Sequence, residues 1–205
     1  MALSLASVGQ KITAAFMNLI VAEVNKQGHT AIIPTSVAGT GVTVGASGKV
    51  SFTASTSISL NGIFTSTYDH YKVEIYTTAS STAVLRVVLR SAGTDATAAN
   101  YDYTLLFANS ATPGSTTVAA NANWVLNAAI LSTMMKHNLE LTNPFLASPT
   151  TAFGQSVAYA TGGVAPLVGS FGGGHRLSTS YDGLTFTAST GSLTGTIRVY
   201  GYNDN

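Results

Sequence analysis

From Thr30 to the C-terminus, apolar residues recur at every second position in short runs, and Gly, Ser, Asn and Asp separate the runs. A period of two sends alternate side chains to opposite faces of an extended chain, so each run reads as a half-buried strand. Val50 and Phe52 alternate with Ser51 and Thr53, and Tyr71, Val73 and Ile75 with Lys72 and Glu74. Leu85, Val87 and Leu89 oppose Arg86, Val88 and Arg90, and Ile197 and Val199 oppose Arg198 and Tyr200. Further strands are expected over Tyr101–Ala108, Trp124–Leu131, Lys136–Thr142, Ala152–Ala160 and Gly169–Leu177, although Trp124–Met135 also fits a helix. Asn61-Gly62 and Asp182-Gly183 have the composition of hairpin turns, the second joining Ser178–Tyr181 to Leu184–Ser189. About ten short strands in one stretch predict a mainly β chain with a jelly-roll-like antiparallel β-sandwich over residues 49–205.

The N-terminus follows a different period. Ser7-Val8-Gly9-Gln10 has the form of a capping box, and Gly28 supplies a residue suited to closing a helix. A helix over residues 8–27, within an N-terminal unit of residues 1–29, would be about 30 Å long. Val8, Ile12, Ala15, Leu19 and Ala22 form a heptad seam, which Phe16 widens. Met17, Ile20 and Val24 make a second apolar line, leaving Lys11, Asn18 and Asn25 as the clearest polar stripe. A helix apolar around most of its circumference needs cover on several sides. Val8, Ile12, Phe16, Met17, Leu19, Ile20 and Val24 are therefore expected at an oligomer or docking interface; the alternative is a helix lying on its own β-domain. Residues 30–48, rich in Gly, Thr and Ser, read as an extended linker arm.

Charge is scarce. Only 8% of residues are Asp, Glu, Lys or Arg and the net charge is +1, against a usual charged share of about 25%. No run of Lys and Arg could neutralise a line of phosphates, so nucleic acid is not an expected partner. With no cysteine, disulfides and thiolate metal sites are excluded. The longest apolar-leaning stretches fall short of the roughly 20 residues of a membrane span, and no basic residue precedes Lys11 as a signal peptide would need. The expected state is one without membrane insertion or cleaved leader.

Histidine, serine, glycine and carboxylate spacings bear on catalysis. His29, His70, His137 and His175 are scattered, with no helical metal spacing. No Gly-x-Ser-x-Gly elbow occurs, and no Lys-Ser/Thr follows Gly172-Gly173-Gly174 to make a phosphate loop. Eight carboxylates, dispersed along the chain, nominate no acid/base pair. The reading is of a non-enzymatic protein without metal or cofactor.

Several segments carry a resemblance. Ser59-Leu60-Asn61-Gly62-Ile63-Phe64-Thr65-Ser66-Thr67-Tyr68-Asp69-His70-Tyr71-Lys72-Val73 is similar to bacteriophage structural proteins of the minor tail, tail-fibre and capsid-decoration type. The similarity continues in Leu85-Arg86-Val87-Val88-Leu89-Arg90-Ser91, then Gly93-Thr94-Asp95 and Asn100-Tyr101-Asp102-Tyr103, and closes in Gly195-Thr196-Ile197-Arg198-Val199-Tyr200-Gly201-Tyr202. Val8-Gly9-Gln10-Lys11-Ile12-Thr13-Ala14-Ala15-Phe16-Met17-Asn18 also resembles the N-terminal segment of phage tail-associated proteins. The resemblance implies a β-sandwich, a homotrimer, other virion proteins as partners and a place in the virion, and it carries over no catalytic residue.

Two sets of residues remain from the chain itself. Arg86 and Arg90 share one strand face and are expected to pin strand or subunit packing through pairs with Asp69, Glu74, Asp95 or Asp102. Asn109–Thr117, with Pro113, and the turn at Tyr181-Asp182-Gly183 read as exposed loops. These are the segments that a receptor-binding module would offer to a host-surface glycan or protein, the alternative to a purely structural virion component.

Overall fold

A computed structural model describes residues 28–109, 112–127, 134–159 and 166–202. The helix expected over residues 8–27, and with it the seven interface candidates from Val8 to Val24, lies outside the described residues.

The described chain is built of antiparallel strands, with no helix among the described residues. In chain order they are β1 (His29–Ile32), β2 (Ser36–Ala38), β3 (Val42–Val44), β4 (Val50–Ser55), β5 (Ser57–Asn61) and β6 (His70–Ala79). There follow β7 (Leu85–Ser91), β8 (Thr94–Asp95), β9 (Tyr101–Asn109), β10 (Thr112–Asn121) and β11 (Trp124–Val125). The last five are β12 (Met134–Thr142), β13 (Thr150–Tyr159), β14 (Leu167–His175), β15 (Gly183–Ala188) and β16 (Leu193–Tyr202).

They form two sheets. The larger has ten strands in the order β10-β9-β14-β13-β12-β6-β16-β4-β3, with β1 also paired to β16. The smaller has the order β11-β7-β15-β5-β2, with β8 paired to β7. β4 and β1 share one edge of β16, β4 along Leu193–Ile197 and β1 along Val199–Tyr202. The chain crosses between sheets at β1–β2, β2–β3, β4–β5, β5–β6, β6–β7, β8–β9, β10–β11, β11–β12, β14–β15 and β15–β16.

Burial follows the alternation read from the sequence. Tyr71, Val73 and Ile75 of β6, Leu139 and Leu141 of β12 and Ile197 and Val199 of β16 point to the same side as one core cluster. Leu85, Val87 and Leu89 of β7 and Leu184 and Phe186 of β15 supply it from the smaller sheet. Each such side chain contributes roughly 1.5–3 kcal/mol on burial. Trp124 is fully buried, donates its indole N–H to the Gly174 carbonyl at 3.1 Å and meets Tyr101 edge-on at 5.1 Å. The Tyr101 hydroxyl reaches the Ala96 carbonyl at 2.7 Å, and burial pushes its pKa up.

One inward row crosses the larger sheet as Ile197, Ile75, His137, Ser156, Gly169, Phe107 and Gly114. Bulky members of this row lie over glycines. A Cβ on Gly114 would come 2.6 Å from the Phe107 ring, and one on Gly154 would come 3.0 Å from His137 Nε2. Side chains at these glycines would displace the row.

Several expectations change. Residues 30–48 are extended, but β1, β2 and β3 tie them to β16, β5 and β4, so they belong to both sheets. The loop expected at Asn109–Thr117 is mostly the edge strand β10, on which Pro113 pairs with Ala108; an edge position tolerates its missing N–H. Asp182-Gly183 makes no hairpin: Gly183 opens β15, which lies between β7 and β5, and no strand covers Ser178–Tyr181. Asn61-Gly62 makes none either, because Gly62 turns at φ +63° to leave the smaller sheet. From Trp124 only two residues are strand, and residues 128–133 lie outside the description.

His137 sets a pH dependence. It is fully buried, neither ring nitrogen has a partner, and burial lowers its pKa from 6.5 to about 3. The unfolded chain takes up a proton as pH falls below 6.5 while the folded chain does not, so the stability is present above 6.5 and lost downward toward about 3. The expected slope in that window is about 1.4 kcal/mol per pH unit for one proton. Thermal unfolding from pH 7 to 4 should show a falling midpoint, flattened in His137→Leu; equal slopes in both proteins would refute the assignment.

Candidate functional site

The two arginines on β7 have different surroundings. Arg90 is buried against Asp95 of β8, which its guanidinium contacts directly, and also donates to the Gly93 carbonyl. Its Nε donates to Asn61 Oδ1 at 3.0 Å, and Nη1 to Ser59 Oγ at 3.0 Å and Thr185 Oγ1 at 2.6 Å. Thr185 Oγ1 in turn donates to Asp95 at 2.7 Å. One side chain thus joins β5, β7, β15 and the turn into β8. Burial of a charge is tolerable here because every part of the fork has an acceptor. Arg86, half-buried on the same face, has no ion-pair partner among the described residues.

The Tyr181-Asp182 turn is committed to the fold. Tyr181 is buried, its ring 5.1 Å edge-on from His175, with its hydroxyl 3.3 Å from His175 Nδ1. The Asp182 N–H donates to the Arg90 carbonyl, and its own carbonyl accepts from Ile63 and Phe64. These residues are not presented to a ligand, contrary to the exposed loop expected from the sequence. Pro113 is exposed, on the outer face of the larger sheet.

That outer face is the largest surface of unusual character. Its rows follow the strand register. Tyr76, Lys136, Val157, Val168, Ala108 and Pro113 make one row across β6, β12, β13, β14, β9 and β10. The next contains Glu74, Asn138, Gln155, Ser170 and Leu106, and the one after it Lys72, Glu140, Phe153, Gly172 and Thr104. Tyr76, Leu106, Phe153, Tyr159 and Val168 are large hydrophobics left exposed on this one face, Leu106 by 58%. Leu106, Ala108, Pro113 and Val168 bound a shallow depression of about 620 Å³ at its apolar end. Contiguous apolar surface of this kind marks an interaction site.

Toward the other end the face becomes polar. Arg176 makes two hydrogen bonds of 2.6 Å to Asp102, and this pair, with the Ala120 N–H, holds the Asp102 carboxyl below its usual range. Lys72 lies 2.9 Å from Glu74 and lowers its pKa in the same way. Tyr202 donates to Glu140 at 3.2 Å. Among the described residues no three His, Asp or Glu side chains converge as a metal site would require.

The outer-face hydrophobics were not singled out from the sequence, yet a signal was there. Leu105-Leu106-Phe107 and Leu167-Val168 break the alternation by placing apolar residues on both faces of their strands. Phe153 gives less warning, since it alternates with Ala152 and Gly154, both buried. No protein-family model matches the chain, and no curated protein matches it significantly.

Arg90→Ala would leave the partly exposed Asp95 carboxylate and the buried Ser59 and Thr185 hydroxyls without their cationic donor, at an expected cost of about 1.5–3 kcal/mol. Arg86→Ala should stay within about 0.5 kcal/mol of the wild type. Urea unfolding of both variants measures the contrast, and equal costs would contradict the roles assigned.

Proposed function

We propose that this chain is a non-enzymatic structural component of a tailed-phage virion, a fibre, tail or head-decoration module that assembles as a trimer. The observation that carries the reading is the apolar end of the outer sheet face, where Leu106, Val168, Tyr76 and Tyr159 are exposed together. An isolated chain gains nothing from leaving them in water, whereas neighbouring copies or other virion proteins would cover them. Scarce charge favours the same outcome, because little repulsion or ion desolvation opposes association. The virion assignment itself rests on the resemblance of the segments around Ser59–Val73, Leu85–Ser91 and Gly195–Tyr202.

The finer fold reading is a jelly-roll sandwich, and strand order supports it. Eight strands, β4, β5, β6, β7, β11, β12, β15 and β16, lie as β4-β16-β6-β12 in one sheet and β5-β15-β7-β11 in the other. First beside eighth, eighth beside third and third beside sixth is the arrangement of a double Greek key, a form used by viral capsid and lectin domains. β9 and β10, and β13 and β14, are then two inserted hairpin elements that widen the larger sheet. Apart from Tyr76 on β6, the apolar end lies on these insertions, which suits an interface added to a self-sufficient core. The N-terminal segment, with its apolar seam from Val8 to Val24, is the second docking element of this reading.

Sedimentation equilibrium of the full chain should give three times 21.0 kDa. The double variant Leu106→Glu, Val168→Glu should shift it toward a monomer that keeps the far-ultraviolet circular dichroism of the folded strands. A wild-type monomer at micromolar concentration overturns the trimer.

A further inference from the structure

We infer that the polar end of the larger sheet's outer face, centred on the exposed ring of Phe153, is a binding site for a neutral saccharide. This goes beyond the virion reading and centres on the row of Phe153, bordering the Leu106 row at Gln155 and Asn138.

Phe153 is 52% exposed in the middle of β13, with Gly172 of β14 as its neighbour on one side and Glu140 of β12 on the other. An aromatic side chain beside a cross-strand glycine ordinarily folds over it. Phe107 does so over Gly114, and Tyr68 lies over Gly201, each ring within 3 Å of where a Cβ would sit. Phe153 does not. A Cβ on Gly172 would meet no atom within 4 Å, and Gly172 is not in the left-handed region. Neither backbone conformation nor core packing therefore requires glycine at that position. A glycine inside a strand weakens it, and its remaining physical use is to let something approach the sheet closely. The result is an unpacked ring beside an open strip of backbone.

The surroundings define what fits. On the far side of Gly172 is Thr104, its hydroxyl 3.1 Å from that of Thr117. Next to the ring in the adjacent row are the exposed Gln155 and the half-buried Asn138, whose Oδ1 is shielded from solvent and has no hydrogen-bond partner. A shallow depression of about 120 Å³ lies against the ring toward Asn138 and Glu140, and a second of about 310 Å³ begins at Gly172 and extends toward Thr104 and Gly174. Of the charges nearby, Arg176 is matched to Asp102 at 2.6 Å and Lys72 to Glu74 at 2.9 Å, while Glu140 accepts from the Tyr202 hydroxyl and is, among the described residues, the one carboxylate beside the ring without a cation. A ring for stacking, hydroxyls and an amide for directional hydrogen bonds and a carboxylate able to accept from hydroxyl groups describe a site for an uncharged polyhydroxyl ligand. A peptide strand is disfavoured because β9, β12, β13 and β14 are interior strands whose backbone groups are engaged on both sides. A nucleic acid would require free cations.

The test is a titration of the ¹⁵N-labelled full chain with maltohexaose, cellohexaose and chitohexaose, read from backbone amide shifts. The expected result is saturable movement of the Gly172, Gly174 and Gln155 amides with at least one of them. Phe153→Ala should weaken that binding about tenfold, and Gly172→Val, which fills the open strip, should weaken it comparably. Both variants should keep the wild-type unfolding midpoint, since neither position packs in the core. No shift with any of the hexasaccharides overturns the proposal, as does undiminished binding by Phe153→Ala. Movement of the same amides on raising protein concentration without sugar means that a second copy occupies the face, and overturns it too. The native mass is read separately, so failure of the trimer and failure of this site are distinguishable.

Discussion

Every second residue of the central strands is withdrawn from water into one core, and the rest of the molecule is arranged around that constraint. β6, β12 and β16 present Val73, Leu139 and Val199 in one inward row and Ile75, His137 and Ile197 in the next. Slipping any of these strands by one residue would exchange that set for Lys72, Glu140 and Tyr200. Register is therefore fixed from within, and the outward positions are left free of the core. Whatever this protein recognises has to be read from those outward rows.

Arg90 shows what the same constraint does to a polar side chain. It alternates outward on β7, yet the turn into β8 folds Asp95 over it and removes it from water. In a chain with so few charges, a buried guanidinium is stable only where it satisfies several acceptors at once, and here they come from three strands and a turn. A hydrophobic side chain of similar volume would fill the space but would not select this alignment of β5, β7 and β15. The contribution of Arg90 is specificity as much as stability.

What could be read from the sequence was what periodicity controls. The alternations at Tyr71–Ile75, Leu85–Arg90 and Ile197–Tyr200 correspond to β6, β7 and β16, because a half-buried strand leaves a period of two whatever its partner. Strands β2 and β3 have three residues each, too few for a period, and their identity comes from pairing with β5 and β4. β10 was read as a loop because Pro113-Gly114 signals a turn, although an edge strand accommodates both. Asp182-Gly183 misled for a related reason: turn composition does not say which strands the turn joins. The candidate site was less legible than the fold. Phe153 and Gly172 are nineteen positions apart in sequence, and only the pairing of β13 with β14 makes them neighbours.

The outer face also explains how assembly and ligand capture could coexist on one sheet. Its character changes along the strand direction, because β9, β13 and β14 keep a common register across it. Val168 and Gly172 are four residues apart on β14, about 13 Å at the rise of a strand. Leu106 and Ala108 on β9 accompany the Val168 end, while Thr104 and Asp102 accompany the Gly172 end. A neighbouring copy seated on the apolar rows would stop short of the Phe153 ring, and by excluding water beside it would deepen the depression that faces Thr104. Covering the ring as well would require a partner to bury the Asp102–Arg176 and Lys72–Glu74 pairs, whose desolvation the contact would have to overcome. In the proposed assembly the paired charges would bound the interface and leave the ring on its solvent side.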